Sequence, residues 1–230
     1  RMTTREQREQ LLAQAHYNVF SLHADDVLID FLTDSGTSAM SAAQWAALQQ
    51  GDESYAGSAS FYRFEAAVKE LMPFKHIIPT HQGRAAERIL MGLIQQENTI
   101  IPNNTHFDTT RANVESIGAS AVDLVIAEGL EPSTEHPFKG NMEVKRLKQL
   151  LAECSEQIPW VMLPVTNNAG GGQPVSMANI REVQALCQQY QKQLSIDACR
   201  FAENAYFIKL REPEFAKHSV NSIVQQMFAY

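Results

Sequence analysis

The chain has 230 residues, of which 44% are apolar, and its 19 basic and 26 acidic side chains give a formal net charge of −7. A chain of this length can bury the core of one substantial domain, or of one domain and part of another. The acidic excess argues against nucleic acids or anionic membranes as partners. No run of about 18 or more apolar residues is present, so no membrane-spanning helix is predicted.

Three cysteines, Cys154, Cys187 and Cys199, lie in the second half of the chain without CxxC spacing. Their odd number argues against a disulfide framework and is typical of proteins from a reducing compartment. The histidines lack the spacing of zinc ligands. Because no signal-peptide pattern is present either, we expect a cytoplasmic protein.

The beginning of the chain differs from the rest. Residues 1–14 are charged, rich in Gln and helical in pattern, and the residues that follow, up to 30, have little clear period. Residues 1–35 are therefore predicted to be a separate segment, part of a small domain or of an interface. Residues 36–230 are predicted to form the main domain.

Short apolar runs then alternate with helical patterns, and several runs are apolar at nearly every position, as in strands covered on both faces. The predicted strands are 77–78, 98–101, 122–127, 160–165 and 193–198. Apolar stripes predict helices at 86–94, at 144–151, at 177–190 behind the N-cap candidate Ser176, and near the end at 219–230. This alternation predicts an α/β fold with a mostly parallel sheet.

Residues 80–87, THQGRAAE, follow a short apolar run and open a helical stripe. A helix start offers free N–H groups, Gly83 permits close approach and Arg84 adds positive charge, which together suit a phosphate group. The spacing is not that of a nucleotide P-loop. These residues alone are compatible with a phosphate site and with a plain turn that starts a helix.

Two further segments follow predicted strands, at the end where ligands bind in open α/β sheets. Residues 167–174, NNAGGGQP, form a glycine-rich loop in which Asn168 can donate to a ligand, although a loop without a ligand is the simpler interpretation. Asp197 and Arg200 lie at the C-terminal end of the run at 193–198. They are compatible with an ion pair that locks a loop and with a pair that holds one ligand.

Seven stretches, in collinear order, resemble the β-eliminating lyases, the family of tryptophanase and tyrosine phenol-lyase. No stretch is decisive alone, but together they cover nearly the whole chain. They are LTDSGT at 32–37, GDESYAGS at 51–58, PTHQGRAAE at 79–87, HFDTTR at 106–111, FKGN at 138–141, GGQPVSMAN at 171–179 and DACRFAENAYFIK at 197–209. The resemblance implies that residues 36–230 are the pyridoxal 5′-phosphate (PLP) binding large domain of a fold type I enzyme, and that this domain is incomplete.

The resemblance also implies which residues hold PLP. Gln82, Gly83 and Arg84 bind the phosphate, and Phe107 stacks on the pyridine ring, a role that suits its flat apolar face.

By the same resemblance, Asn168 and Arg200 form hydrogen bonds with the ring oxygen O3′. Asp197 pairs with the ring nitrogen and keeps it protonated, so that the ring can withdraw electrons during the reaction.

Other roles that the resemblance implies concern the substrate and a cation. Tyr55 is the proton donor near the leaving group and is supplied across a subunit interface. Thr33 and Asp108 contact the substrate. Gly36 and Glu53 coordinate an activating monovalent cation, usually potassium, between the subunits of a homo-tetramer.

The implied reaction is an α,β-elimination that converts tryptophan to indole, pyruvate and ammonia, or tyrosine to phenol, pyruvate and ammonia. Asp108 and the stretch at 200–204 resemble the tryptophan enzymes, whereas the stretches at 38–45 and 55–62 are closer to the tyrosine enzymes. Tryptophan is the favoured substrate.

The lysine that holds PLP in this family lies in a Ser-x-Lys-Lys-type stretch, and neither Lys209 nor Lys217 matches it. We therefore expect the chain to be a fragment that lacks the C-terminal half of the family's length. Two alternatives remain open: a different PLP enzyme of the same fold, such as an aminotransferase or a carbon–sulfur lyase, and an inactive domain that only binds a phosphate ligand or oligomerises.

Overall fold

A computed structural model describes residues 3–28, 40–52, 54–94 and 97–229. The chain divides into two compact units, residues 1–60 and residues 61–230. The domain boundary expected after residue 35 falls outside the described residues and stays a prediction. None of the described helices is long and apolar enough to cross a membrane.

In the described residues of the first unit, two short helices each begin with a reciprocal cap. Helix α1 spans Arg5–Gln14 and α2 spans Ala42–Gln49. The Thr4 hydroxyl accepts the backbone N–H of Gln7, and the Gln7 side chain accepts that of Thr4. Such capping boxes satisfy donors that the first turn of a helix leaves free. Helix α1 confirms that the helical pattern of residues 1–14 forms a helix.

The described residues then form eight more helices and four strands, and from β1 onward one or two helices follow each strand. The helices are α3 (Ala59–Leu71), α4 (Gly83–Met91), α5 (Asp108–Ser116), α6 (Ala127–Leu130), α7 (Val144–Cys154), α8 (Met177–Gln189), α9 (Phe201–Arg211) and α10 (Val220–Met227). The strands are β1 (Ile100–Asn103), β2 (Ser120–Asp123), β3 (Trp160–Pro164) and β4 (Gln193–Asp197).

The four strands form one sheet in the order β2-β1-β3-β4, and every pair is parallel. In register, Asn103 of β1 faces Asp123 of β2 on one side and Met162 of β3 on the other. Parallel neighbours require crossover connections, which the intervening helices supply. The α/β fold with a mostly parallel sheet is therefore confirmed.

The predicted strand at 77–78 is wrong, because residues 76–80 have no regular structure and the Ile78 side chain is 83% exposed. Two apolar residues followed by Pro79, which lacks a backbone donor, are too few to extend a sheet. The runs at 98–101 and 122–127 do contain strands, but these are shifted to Ile100–Asn103 and Ser120–Asp123. The helix predicted behind Ser176 is confirmed, since the Ser176 hydroxyl accepts the N–H of Asn179.

Apolar side chains pack on both faces of the sheet, as expected when strands alternate. Ile101 and Met162 face one cluster, which includes Met91 of α4 and Val114 of α5. A larger cluster lies around Leu163 and the apolar faces of α7 to α10. Both sides of the sheet are thus buried, and its polar residues are concentrated at the strand ends.

Asn204 of α9 holds the loop that follows β3. It is fully buried, and its Oδ1 accepts the N–H groups of Thr166 at 3.1 Å and Val175 at 2.9 Å. Its Nδ2 donates to the Val175 carbonyl at 2.9 Å. One amide therefore satisfies backbone groups at both ends of the glycine-rich loop.

Replacing Asn204 with alanine removes the partners of these buried backbone groups at once. Asn204→Ala should lower the free energy of unfolding by about 2–4 kcal/mol, the cost of leaving such groups unsatisfied. Urea denaturation measures the change, and Glu203→Ala, at an exposed position of the same helix, should change it by less than about 0.5 kcal/mol. Equal effects of the two substitutions would contradict the role assigned to Asn204.

Candidate functional site

The carboxyl ends of all four strands meet at one edge of the sheet because the strands are parallel. From β1 the chain moves to the outer strand β2 and then returns to the other side of β1 as β3. In open α/β sheets, ligands bind in the crevice where the strand order reverses in this way. The residues after β1, β3 and β4 are therefore placed to hold a ligand.

Two buried asparagines brace this crevice. Asn104, which follows β1, donates from Nδ2 to the carbonyls of Gly140 at 2.7 Å and Pro164 at 3.0 Å. Asn167, after β3, donates from Nδ2 to the carbonyl of Thr105 at 3.1 Å. Because each amide crosses from one loop to another, the loops after β1 and β3 are held at a fixed separation.

The predicted ligand residue Asn168 lies at the exposed start of the glycine-rich loop. Below it the loop closes with the Asn167 N–H donating to the Gln173 carbonyl at 2.8 Å. Gly171 and Gly172 have φ values of 78° and 76°, a region that favours glycine. The tight closure leaves the Asn168 amide at the outside of the crevice, where it can meet a ligand.

Asp197 is the last residue of β4, and Arg200 is the N-cap residue of α9. Asp197 Oδ1 accepts the N–H of Cys199 at 3.1 Å, which shapes the turn between them. The Thr166 hydroxyl donates to the Arg200 carbonyl at 3.3 Å and joins this turn to the loop after β3. The half-buried carboxylate of Asp197 thus stands at the same sheet edge as Asn168.

The start of α4 has the form expected of a phosphate site. Gln82 is its N-cap residue and makes no side-chain cap hydrogen bond. The N–H groups of the first helical residues, Gly83 and Arg84, have no partner within the helix. A Cβ added at Gly83 would meet nothing within 4 Å, so a ligand can approach the backbone there. Gln82, Gly83 and Arg84 are all exposed.

Phe107 and Asp108 occupy the start of α5, directly after the loop from β1. Phe107 is the half-buried N-cap residue, and Asp108 is exposed in the first turn. The starts of α4 and α5 are joined, since the Thr110 hydroxyl donates to Glu87 Oε1 at 2.5 Å and Asn113 Nδ2 donates to Glu87 Oε2 at 3.4 Å. Glu87 therefore connects α4, whose start is the candidate phosphate site, to α5, whose N-cap residue Phe107 is expected to stack on the ring.

His106, just before Phe107, has a fully buried side chain, and its Nδ1 lies 2.6 Å from Asp123 Oδ1. An ionised carboxylate only accepts, so Nδ1 carries the hydrogen of this contact, and in the neutral ring Nε2 then carries none. Nε2 is buried without a hydrogen-bond partner among the described residues. Burial lowers the pKa of His106 below its ordinary value, against the opposing effect of Asp123.

These positions fit PLP by their chemistry: a helix start with free donors for a phosphate, an aromatic face, an amide, and a carboxylate at a strand end. Sequence reasoning had not found the supporting residues Asn104, Asn167, Glu87 and Asp123. Asp123 lies inside the apolar run at 122–127, so its position in the sequence did not mark it as the end of a strand.

Cavities of two kinds lie among the described residues of the second unit. One, of about 80 Å³, lies at the polar edge, where Thr105, Gly140, Asn167 and Gln173 contribute to its lining. The other, of about 100 Å³, is lined by apolar side chains alone, among them Phe74 and Phe228. The polar edge is therefore the better candidate for the chemistry, although its cavity is the smaller one.

The predicted residues of the first unit are only partly described. Tyr55 is fully exposed, in a loop where Asp52 accepts the N–H groups of Ala59 and Ser60, each at 2.8 Å. A side-chain hydrogen bond with Ser60, together with these backbone hydrogen bonds, holds the pKa of Asp52 well below its ordinary value.

Three other residues predicted from the sequence, Thr33, Gly36 and Glu53, lie outside the described residues. Within the described ranges, no group of three or more His, Cys, Asp or Glu side chains is placed to hold a metal ion.

The lowered pKa of His106 predicts a pH dependence of stability. Below its ordinary pKa of 6.5, the unfolded state binds a proton that the folded state resists, so stability falls as pH falls through this window. Between about pH 7 and about pH 5, His106→Gln should flatten the decline in the free energy of unfolding. The exposed His76→Gln variant should keep the wild-type slope. A wild-type slope in His106→Gln would show that this ring is not held neutral.

Comparison with known proteins supports a single family. The model of the β-eliminating lyase family matches residues 30–230. The chain is 65% identical over 229 residues to a tryptophanase of Salinibacter ruber, an alignment that covers 100% of this chain and 49% of that protein. It is 49% identical over 230 residues to a tyrosine phenol-lyase of Pasteurella multocida, covering 100% of this chain and 50% of the relative. The chain thus spans about half the length of these curated relatives.

A solved structure shares the fold at low identity. The PLP-bound C–S lyase of Staphylococcus hominis, in complex with L-cycloserine, superposes with a TM-score of 0.52 at 10% identity, over 89% of this chain and 70% of that one. At this identity the likeness concerns the fold, which is that of PLP-dependent fold type I enzymes. Because the family match extends over most of its length, the chain belongs to the β-eliminating lyases.

Proposed function

We propose that this chain supplies the PLP-binding residues of a lyase that converts tryptophan to indole, pyruvate and ammonia. The observation that carries the proposal is that Phe107, Asn168 and Asp197 stand at one edge of the sheet. Phe107 and Asn168 follow β1 and β3, and Asp197 is the last residue of β4. The 65% identity to a tryptophanase supports the same reaction.

The phosphate of PLP is bound at the start of α4. The N–H groups of Gly83 and Arg84 point out of the first turn, where the helix dipole favours an anion. The open space beside Gly83 lets phosphate oxygens reach the backbone. The Arg84 guanidinium and the Gln82 amide, both exposed at this end, add side-chain donors.

The pyridine ring is held by residues from three loops. Phe107 offers a flat face for stacking, while Asn168 and Arg200 donate to O3′. Asp197 accepts the hydrogen of the ring nitrogen and keeps that nitrogen protonated. When bound, PLP withdraws electrons from the carbon that loses its proton. The protein holds the ring in place and keeps its nitrogen protonated.

Residues of the first unit act on the substrate. Tyr55, exposed on its loop, gives a proton to the departing aromatic group across a subunit interface. Thr33 contacts the substrate, and Gly36 and Glu53 hold a potassium ion. These interface roles require at least two subunits, and the enzyme is proposed to be a homo-tetramer by resemblance to the family.

A cytoplasmic location is proposed with this function. All three cysteines, Cys154, Cys187 and Cys199, are free, which suits a reducing compartment.

Tyrosine is the runner-up substrate, because the identity to a tyrosine phenol-lyase is 49%. Asp108, exposed in the first turn of α5 directly after Phe107, resembles the tryptophan enzymes at this position. The larger identity to the tryptophanase and this resemblance favour tryptophan.

The reaction is tested by a chimera in which this chain replaces the matching half of the Salinibacter ruber tryptophanase. With PLP and potassium, the chimera should release indole from tryptophan at a rate within about tenfold of the parent, a difference of about 1.4 kcal/mol in the barrier. Phenol release from tyrosine as the faster reaction would favour the runner-up. Amino-group exchange without indole or phenol would contradict both.

The same chimera tests the phosphate site. Arg84→Gln should raise the PLP concentration needed for half-maximal activity by about tenfold, because a charge-assisted contact to phosphate is lost. Arg88 lies one turn further along α4, where it donates to the Ser116 hydroxyl at 2.6 Å. Arg88→Gln is therefore the matched control and should leave the PLP requirement unchanged. Equal effects would place the phosphate elsewhere.

A further inference from the structure

The carboxylate of Asp123, at the carboxyl end of β2, receives donors from both sides of Phe107. Its Oδ1 accepts the His106 backbone N–H at 2.9 Å and lies 2.6 Å from His106 Nδ1. Its Oδ2 accepts from the Arg111 guanidinium at 2.5 Å. His106 immediately precedes Phe107, and Arg111 lies one helical turn after it.

These contacts bind the loop from β1 and the first turn of α5 to a neighbouring strand. Asn103 and Asp123 face each other in register, and the Leu124 N–H donates to the Asn103 carbonyl at 2.7 Å. Asp123 therefore stands on a rigid part of the sheet. Because its partners come before and after Phe107, these contacts tie the backbone on both sides of that residue to β2.

We propose that Asp123 is a positioning residue that sets the plane of the Phe107 ring for the pyridine ring of PLP. The inference rests on the proposed function, since Phe107 has this task only if PLP binds here. Asp123 does not touch the cofactor in this account, but acts through His106 and Arg111. Its removal should weaken recognition of the ring and spare that of the phosphate.

The exposure of the Asp123 and Arg111 side chains distinguishes a positioning role from a contribution to overall stability. The side chains of Asp123 and Arg111 are 33% and 37% exposed, and ion pairs at such exposure stabilise a fold little. The His106 ring, by contrast, is fully buried beside the stacking residue. In Asp123→Asn one oxygen can still accept from His106, but the new NH₂ group faces the Arg111 donors. The isosteric change therefore releases the first turn of α5 and leaves the sheet intact.

The test uses the 230-residue chain and two ligands followed by NMR titration. Pyridoxine 5′-phosphate has the phosphate, the ring nitrogen and O3′, but no aldehyde that reacts with lysines. Titration with inorganic phosphate measures binding at the start of α4 alone. Asp123→Asn should bind pyridoxine 5′-phosphate about tenfold more weakly, the scale of a lost aromatic stacking contact. Its affinity for inorganic phosphate should stay within about twofold of the wild type.

A second readout comes from the ligand itself. Stacking on Phe107 shifts the ring-methyl protons of pyridoxine 5′-phosphate upfield, and Asp123→Asn should abolish that shift even at saturation. Glu115→Gln is the matched control, because Glu115 also pairs with Arg111, at 3.7 Å, but on the outer face of α5. It should change neither affinity nor the methyl shift.

Other results of these titrations would contradict the proposal. Wild-type affinity and a wild-type methyl shift in Asp123→Asn would overturn the positioning role, as would an equal loss of affinity for both ligands. If the wild-type chain does not bind pyridoxine 5′-phosphate more tightly than inorganic phosphate, the proposed function fails and the inference fails with it. Should Asp123→Asn not fold, Arg111→Gln keeps the His106 contacts and is judged by the same criteria.

Discussion

Parallel pairing is the constraint on which the rest of this structure depends. Four strands that run in the same direction must end at the same edge, and the connection that leaves each strand starts near that edge. Phe107 and Arg200, at the N-caps of α5 and α9, are consequently brought to the ends of β1 and β4. A site of several groups thus arises from residues that lie up to about a hundred positions apart in the sequence.

Hydrogen-bonded amides and carboxylates hold the loops at this edge in place, since the apolar side chains pack on the two faces of the sheet. Asn104, Asn167 and Asn204 satisfy backbone groups of loops that would otherwise be buried without partners. Because an amide bonds in fixed directions, each of these residues determines where a loop runs as well as stabilising it. Rigid loops of this kind let a ring and a phosphate be recognised without large rearrangement on binding.

The sequence predicted the parts of the site that depend on local chemistry. Asp197 could be identified because it ends an apolar run, and Gly83 because it opens a helical stripe. Helix α5 was not predicted, since its sequence, DTTRANVES, has only two apolar residues and no clear stripe. The contacts of Asn104 could not be predicted because its partner Pro164 lies 60 positions away. Family resemblance supplied the roles, and the packing of the loops supplied the residues that support them.

We propose that the carboxyl edge of this sheet binds PLP in one orientation. A crystal structure of the chain grown with pyridoxine 5′-phosphate is the decisive experiment. We expect phosphate oxygens at the N–H groups of Gly83 and Arg84, the ring against Phe107, and the ring nitrogen facing Asp197. Ligand density at another surface, or a ring nitrogen turned away from Asp197, would contradict it.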